Sequence, residues 1–532
     1  MLIDFRKHPE AASHRAEVCV IGAGAAGVTI ARRLMRAGRD VMLLESGGTD
    51  FEAATQELYR GANIGHAYYD LDEARLRFFG GTVSIWGGRA ALFDPIDFEK
   101  RAWVPHSGWP FGREEFDRWY REAHADFELG EFDYGEADAW ATLGLKDPGF
   151  DTAKLATRLW RFDEANERFA ASRAKDLIAA PNLRILTHAN VVKLQANAQA
   201  NGIDHVEVCA LGGGHPAKVA AKHFVVACGA IENARLMLVS DDVEPNGIGN
   251  ARGQVGRFWM EHPTGRIGKV ETDAPADLWA LFQKRFMKDG VPLAPLLRLS
   301  DAAQREREAL NSIVTFKLQR DPKHGVALGN KLYHNLKHSL HPNRRGRALD
   351  HLYRGVRGWF HRTVREPIEH ARAKYAKAGL YLIVRGEQAP NPDSRVVLSE
   401  KHDALGHRRA DLDWQLSELD KHTARVFAEV FDGEMKRMGQ RGVTPSGWLG
   451  EPGTAWPVDP TVGNHPIAGY HHIGGTRLGT DPSSSVVDPD CRVHGYENLW
   501  IAGSSCFPTA GWANPTLTLV AMAIRLAERL SR

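Results

Sequence analysis

Residues 17–47, EVCVIGAGAAGVTIARRLMRAGRDVMLLESG, read as a strand, a tight glycine turn, a helix and a second strand: a βαβ unit. Inside it, Gly22-Ala23-Gly24-Ala25-Ala26-Gly27 has the spacing G-x-G-x-x-G. The first glycine permits the turn, the second lets backbone approach a pyrophosphate, and the third allows close packing of helix on strand. The helix N-terminus then faces the phosphate with free N–H groups and the positive end of its dipole. Glu45, followed by Ser46, ends the second strand 18 residues past Gly27, where a carboxylate accepts from the ribose hydroxyls of an adenosine and repels a 2′-phosphate. NADP is thereby disfavoured. The motif alone also describes a purely structural turn, and it does not choose between FAD and NAD.

Outward from this unit the glycine punctuation returns at 78–90, FFGGTVSIWGGRA, a loop that passes close to something needing bare backbone. Residues 112–180 read mainly as helices, with the run 152–180 periodic in apolar residues. Short strands follow from 183, and 221–240 repeats the theme of strand, small-residue turn and helix. The C-terminal stretch 497–530 is a strand, a proline-glycine loop and a long amphipathic helix. Nucleotide-type elements thus stand at both ends of the chain. We expect a discontinuous cofactor domain, residues 1–110, 181–265 and 461–532, interrupted by a substrate domain of 111–180 and 266–460.

At 532 residues the chain exceeds the size at which one core stops growing, so two lobes are expected. Charged residues at 25% and hydrophobic ones at 43% exclude disordered and fibrous classes, and a net charge of +2 decides nothing about partners. Five scattered cysteines without C-x-x-C spacing favour neither a disulfide framework nor a zinc site and read as reduced, mostly buried thiols. No run reaches the roughly 18 apolar residues of a membrane helix. The expectation is a soluble, cytoplasmic chain, with export beside a partner subunit as the alternative.

The segment 471–479, HHIGGTRLG, followed by 498–527, NLWIAGSSCFPTAGWANPTLTLVAMAIRLA, closely resembles the C-terminal signature of the glucose-methanol-choline (GMC) oxidoreductases, in particular the pyranose oxidase and glycoside-oxidising branch. The glycine turn, FFGGTVSIWGGR, ACGAIENARLM at 227–237, GRFWMEHP at 256–263 and EQAPNPDSRVVLS at 387–399 match in the family order, and only about 320–380 finds no counterpart. The resemblance implies an α/β protein: a Rossmann-like, discontinuous FAD-binding domain and an α+β substrate domain on a mixed sheet. It implies FAD contacts from Gly22, Gly24, Ala25, Ala26, Gly27, Glu45 and Ser46, from Gly81, Thr82, Trp86, Gly87 and Gly88, from Val191, Ala227 and Gly229, and from Gly503, Ser504, Asn514, Pro515 and Thr516. Pyranose oxidases attach the flavin to a histidine just before the tryptophan of the glycine-rich loop; Ile85 stands there, so the FAD is expected to be non-covalent.

Oxidising an alcohol on flavin needs a base for the hydroxyl proton and a C–H held near van der Waals contact with N5, and no metal. A histidine, with an ordinary pKa near 6.5, serves near neutrality. The family pattern H-x-x-G-T falls on His472 to Thr476 and N-P-T on Asn514 to Thr516, which makes His472 the base and Asn514 its partner on the substrate oxygen, with His471 as rival. Asn514 also suits a helix N-cap before Pro515. Glu387-Gln388 and Asn391-Pro392 border the active site in relatives, or simply form a turn.

The expected function is oxidation of a sugar or glycoside at a ring secondary hydroxyl. The alternative is a dehydrogenase of a polyol, aryl alcohol or steroid; O2, a quinone and an electron-transfer protein all stay open as acceptors. Between 331 and 377 twelve Lys or Arg stand against three acids, +9 locally, with Leu349, Leu352, Val356, Trp359, Phe360 and Val364 at helical spacing. This reads as a solvated helical hairpin, or as a face for an anionic membrane surface or an acidic partner. A nucleic-acid binder would be more basic overall and would not need Glu45 or the N-P-T terminus; an NAD(P)H-linked flavin reductase would need a second G-x-G-x-x-G.

Overall fold

The computed structural model describes residues 1–10, 15–165, 167–283, 286–319, 342–349, 352, 379–462 and 465–532. Strand Ala16–Ile21 lies within a six-stranded sheet ordered Leu2–Asp4, Leu183–Thr187, Val41–Leu44, Ala16–Ile21, Ala221–Val226, Leu499–Ile501. Every pairing is parallel. Val41–Leu44 is buried at all four positions, the unbroken apolar run of a strand covered on both faces. All six strands come from 1–110, 181–265 and 461–532.

The second sheet is antiparallel at each pairing, in the order Gly442–Pro445, Thr264–Glu271, Gly379–Arg385, Ile313–Gln319, Val291–Leu299, Leu155–Phe162, Arg89–Ala90, with Phe286–Lys288 beside Val291–Leu299. Two readings of 111–180 are corrected. Leu155–Phe162 is a strand, not helix: Leu159, Trp160 and Phe162 belong to the core, and its ladder with Val291–Leu299 runs over seven residue pairs. The helix Arg113–Asp126 packs against the cofactor domain rather than the substrate sheet. Its Tyr120 hydroxyl bonds Thr518 Oγ1 at 2.9 Å, Trp119 Nε1 donates to Glu528 at 3.0 Å, and Arg33 reaches Glu122 and Asp126.

Of the basic segment, only 342–349 and 352 lie within the described residues. There Arg347 is not solvated: it pairs with Asp50 at 2.7 Å and with Glu167, and lies over the Phe78 ring. Leu349 and Leu352 are exposed. The rest of the proposed hairpin falls outside the described residues. Four of the five cysteines are buried, and all five are free. Among the described residues, no helix is long and apolar enough to cross a membrane.

Candidate active site

The carboxyl ends of the parallel strands open into a cavity of about 1170 Å³ whose far wall is the antiparallel sheet. Ile21, Leu44, Ala227 and Ala502, each at or next to a strand end, line it. Gly22 lies at φ +101°, and a Cβ there would sit 2.6 Å from the Ala227 carbonyl oxygen, so only glycine makes this turn. Gly24, Ala25 and Ala26 line the cavity at the start of helix Ala25–Arg36, whose N-terminus carries no side-chain cap and no acidic residue in its first turn. Its free N–H groups face open space, the donor set that a diphosphate requires.

Glu45 is on the wall, but both carboxylate oxygens already accept backbone N–H groups, Ala23 and Gly47, each at 2.8 Å. It therefore clamps the glycine turn, leaving one lone pair per oxygen for a ribose. Ser46 Oγ accepts from Arg77 Nε at 2.6 Å. Gly81, Thr82, Trp86, Gly87, Val191, Gly229, Gly503, Ser504, Pro515 and Thr516 also line the cavity. Gly27 and Gly88 do not. Gly27 packs under the Gly22 carbonyl and Gly88 against that of Asp163, 2.0 Å from where a Cβ would be, so close packing accounts for glycine at both.

Arg75, Arg77 and Glu232 have no place in the sequence reading. Both arginines line the cavity, contact Glu232 at 3.1 Å and lie over the Tyr59 ring. Burial opposes ionisation of Glu232, but Arg235, Arg75 and Arg77 outweigh it and hold its carboxyl down at about 2.

At the other end of the cavity, the pair expected from the motif is His472 with Asn514; the structure instead pairs Asn514 with His471, Nδ2 to Nε2 at 2.8 Å. Consecutive residues of an extended segment project to opposite sides. His472 lines the same cavity, but its Nε2 turns from Asn514 to the Tyr68 hydroxyl at 3.0 Å, among the rings of Tyr68 and Trp259. Asn514 stands at the N-cap position of Pro515–Ser531 yet makes no side-chain cap bond; its amide is committed to His471.

The hydrogen bonds fix the tautomers. With Asn514 Nδ2 donating, His471 Nε2 accepts, so Nδ1–H donates to His262 Nδ1 at 2.8 Å and His262 Nε2–H donates to Ala510 O at 3.3 Å. Beneath them Glu261 accepts from the backbone N–H of His262 at 2.7 Å and of His471 at 2.8 Å, and from the Tyr68 hydroxyl at 2.7 Å. One buried carboxyl thus fixes the backbone of both imidazoles. Burial pushes Glu261 up to about 7 and pulls His262 down to about 4. His471 lies well below its ordinary value through burial, with the His262 and Arg385 charges adding to it; burial and Arg75 bring His472 to about 3. Glu261 and His262 went unrecognised although GRFWMEHP shows an acid-histidine pair inside an aromatic run. Glu387 and Gln388 do not reach the cavity wall. Glu387 is fully buried against Arg101, and Gln388 Oε1 accepts from Trp414 and the Glu261 backbone.

The FAD dependent oxidoreductase family matches residues 17–290, just over half of the chain, and the GMC oxidoreductase family matches 390–523. Fructose dehydrogenase large subunit from Gluconobacter japonicus is 23% identical over 97% of both chains; paromamine 6'-oxidase from Streptomyces fradiae is 25% identical over 97% of this chain and 91% of its own. The structure of a fungal aryl-alcohol oxidase superposes with a TM-score of 0.54 at 13% identity, covering 97% of this chain and 99% of that one, a likeness of fold.

Proposed function

This chain belongs to the FAD-dependent oxidoreductases and within them to the GMC oxidoreductases, enzymes that oxidise alcohol groups, and from that premise we propose that its substrate is a sugar or glycoside. In this reading a ring secondary hydroxyl becomes a carbonyl, with His471 as base and Asn514 orienting the substrate oxygen. The observation that carries it is the His471–Asn514 pair on the cavity wall. Relatives named for fructose and paromamine support the substrate class.

FAD, when bound, supplies the acceptor for the hydride that leaves the carbinol carbon. The free N–H groups at Gly24–Ala26, Glu45 and the N-terminus of Pro515–Ser531 are the groups that fit it, and Ile85 provides no atom for a covalent link. His471 does the proton work. Burial keeps its imidazole neutral, and its Nε2 lone pair is the one aimed at Asn514. Substrate binding must draw the Asn514 N–H from that lone pair to the hydroxyl oxygen; taking the hydroxyl proton on the freed Nε2 then makes an imidazolium whose Nδ1–H is already donated to a neutral His262, so the new charge forms against a prepared acceptor. The N-terminus of Pro515–Ser531 favours negative charge at this end of the cavity.

The test is an anaerobic visible spectrum of the purified yellow protein, titrated with a panel of pyranoses and pyranosides, followed by air. Bleaching of the flavin's long-wavelength band supports the reading. A flavoprotein bleached by aryl or aliphatic alcohols but by no sugar overturns the substrate class. The speed of recolouring in air then separates O2 from a quinone or partner protein as acceptor; a relative named as a large subunit makes the partner worth testing.

A further inference from the structure

Arg385 ends strand Gly379–Arg385, and the alternation of that strand decides where its side chain goes. Ile383 and Arg385 line the cavity, whereas Leu382 and Val384 between and before them are core residues on the opposite face. Across the ladder Thr315 opposes Ile383, and Thr315 and Lys317 are on the cavity wall too. On the other edge Arg385 opposes Thr264, and Gly386 N donates to Pro263 O at 2.9 Å, which brings the guanidinium beside the segment carrying His262. The charge is felt by both imidazoles of the pair, His471 and His262.

Among the described residues, no carboxylate pairs with Arg385. Its Nε is buried without a hydrogen-bond partner, and the phenol of Tyr69 is the acidic group that its charge senses. Several buried arginines of this protein do have a carboxylate: Arg75 and Arg77 share Glu232, Arg101 has Glu387, Arg235 has Asp403 and Arg298 has Asp94, whereas buried Arg161 and Arg477 are met by backbone carbonyls of Leu129, Asp133 and His106. An ion taken out of water without a counter-ion is strongly unfavourable; unlike Arg161 and Arg477, which do not line the cavity, Arg385 stands on its wall, where a bound anion can supply that counter-ion. Lys317, whose ammonium donates to the Thr461 carbonyl, adds a second cation to the same wall.

We propose that the missing counter-ion is the substrate: a carboxylate-bearing sugar or glycoside, such as a uronide, held in the fork of Arg385 while its hydroxyl-bearing carbon lies at His471. A planar guanidinium takes a carboxylate through two parallel N–H bonds, which fixes the orientation of the ring as well as its affinity. The inference rests on the sugar-oxidising reading above.

The experiment compares matched pairs, methyl glucosides with methyl glucuronides and galactosides with galacturonides, by anaerobic bleaching of the wild-type flavoprotein and of Arg385→Met and Arg385→Lys. Wild type is expected to favour the acid of each pair by about 10- to 100-fold in kcat/KM, chiefly through KM, as a charge-assisted bond implies. In Arg385→Met that ratio falls to near one; in Arg385→Lys, which keeps the charge without the fork, it is intermediate. Bound flavin per chain, read from the spectrum, certifies that each variant is folded. Equal use of acid and neutral sugars by the wild type, or an acid preference that survives Arg385→Met, overturns the inference and leaves sugar oxidation standing. Bleaching by neither series removes the sugar reading, and the inference with it.

Discussion

Replacing His471 and His472 separately by Gln separates chemistry from scaffolding. His471 Nε2 is the atom bonded by Asn514 on the cavity wall, so His471→Gln removes the proposed base and keeps a polar side chain of similar reach. A positioned base contributes about 10²- to 10⁴-fold, or about 3–5 kcal/mol of barrier. The reductive step should slow by that factor, with little change in the substrate concentration at half-saturation. His472→Gln touches a different balance. His472 Nε2 donates to a Tyr68 hydroxyl that itself donates to Glu261, and its ring packs on Trp259. A weakened bond in that buried set costs about 1–3 kcal/mol of stability and leaves the base in place. The assay is anaerobic rapid mixing of each holoprotein with a sugar that bleaches the wild type, beside thermal unfolding of the same samples. Expected are a His471→Gln that keeps its flavin but is slow, and a His472→Gln within several-fold of the wild-type rate, each less stable than wild type by the loss of a buried bond. If His472→Gln retains its flavin and is slowed a hundredfold while His471→Gln is not, the assignment of the base is wrong.

Activity should persist on the acid side until well below pH 6.5, because burial keeps His471 neutral there; a pH–rate profile whose acid limb falls near 6.5 would show a solvated base. Stability follows the same groups: His262 and His472, depressed to about 4 and 3, contribute stability that is full above pH 6.5 and lost as pH falls toward those values. Glu261, raised to about 7, acts oppositely, its contribution full below pH 4.5 and lost as pH rises to 7, so Glu261→Gln should flatten the loss above pH 4.5 in denaturant titrations. Arg101→Met should destabilise by about 3–5 kcal/mol, since it leaves the fully buried Glu387 without its cation; an unchanged urea midpoint would argue against that. Acid precipitation should release all the yellow colour into the supernatant, since Ile85 offers no attachment atom; colour retained in the pellet would show a covalent link elsewhere.

The nucleotide half of the fold was legible because its signals are local. Gly22, Gly24 and Glu45 read their roles off a 31-residue stretch, and the parallel strands are continuous apolar runs. Leu155–Phe162 was missed because a strand with one edge of polar residues, Ala-Thr-Arg before Leu-Trp-Arg-Phe, also fits a helical stripe, and only its partner Val291–Leu299, more than a hundred residues on, decides. The histidine that pairs with Asn514 lies one residue from the expected one for a similar reason. His471 and His472 are adjacent and chemically equal; which one faces Asn514 depends on the direction the extended backbone takes, and Glu261, two hundred residues earlier, sets that direction by accepting the His471 N–H. Arg385 carries no local signal beyond being a charge that closes an apolar strand.

The position of Asn514 is set by a polar core that joins the two lobes. Asp94 and Asp97, from the cofactor domain, both accept from Asn311 Nδ2 of the substrate domain, at 3.0 and 2.9 Å. Asp94 Oδ2 also accepts from Trp512 Nε1 at 2.7 Å, and the Asp97 carbonyl from Thr509 Oγ1 at 2.8 Å, so the loop that ends at Asn514 is tied down at two points. Glu387, which accepts from Asn311 N at 2.7 Å, continues the network to the strand that ends at Arg385. Hydrogen bonds in this dry interior cost a great deal to break singly, and each of these residues holds two segments at once. The lobes therefore cannot shift against each other without moving Asn514 and Arg385 together, and the distance between the base and the proposed carboxylate subsite is a property of the fold rather than of a loop.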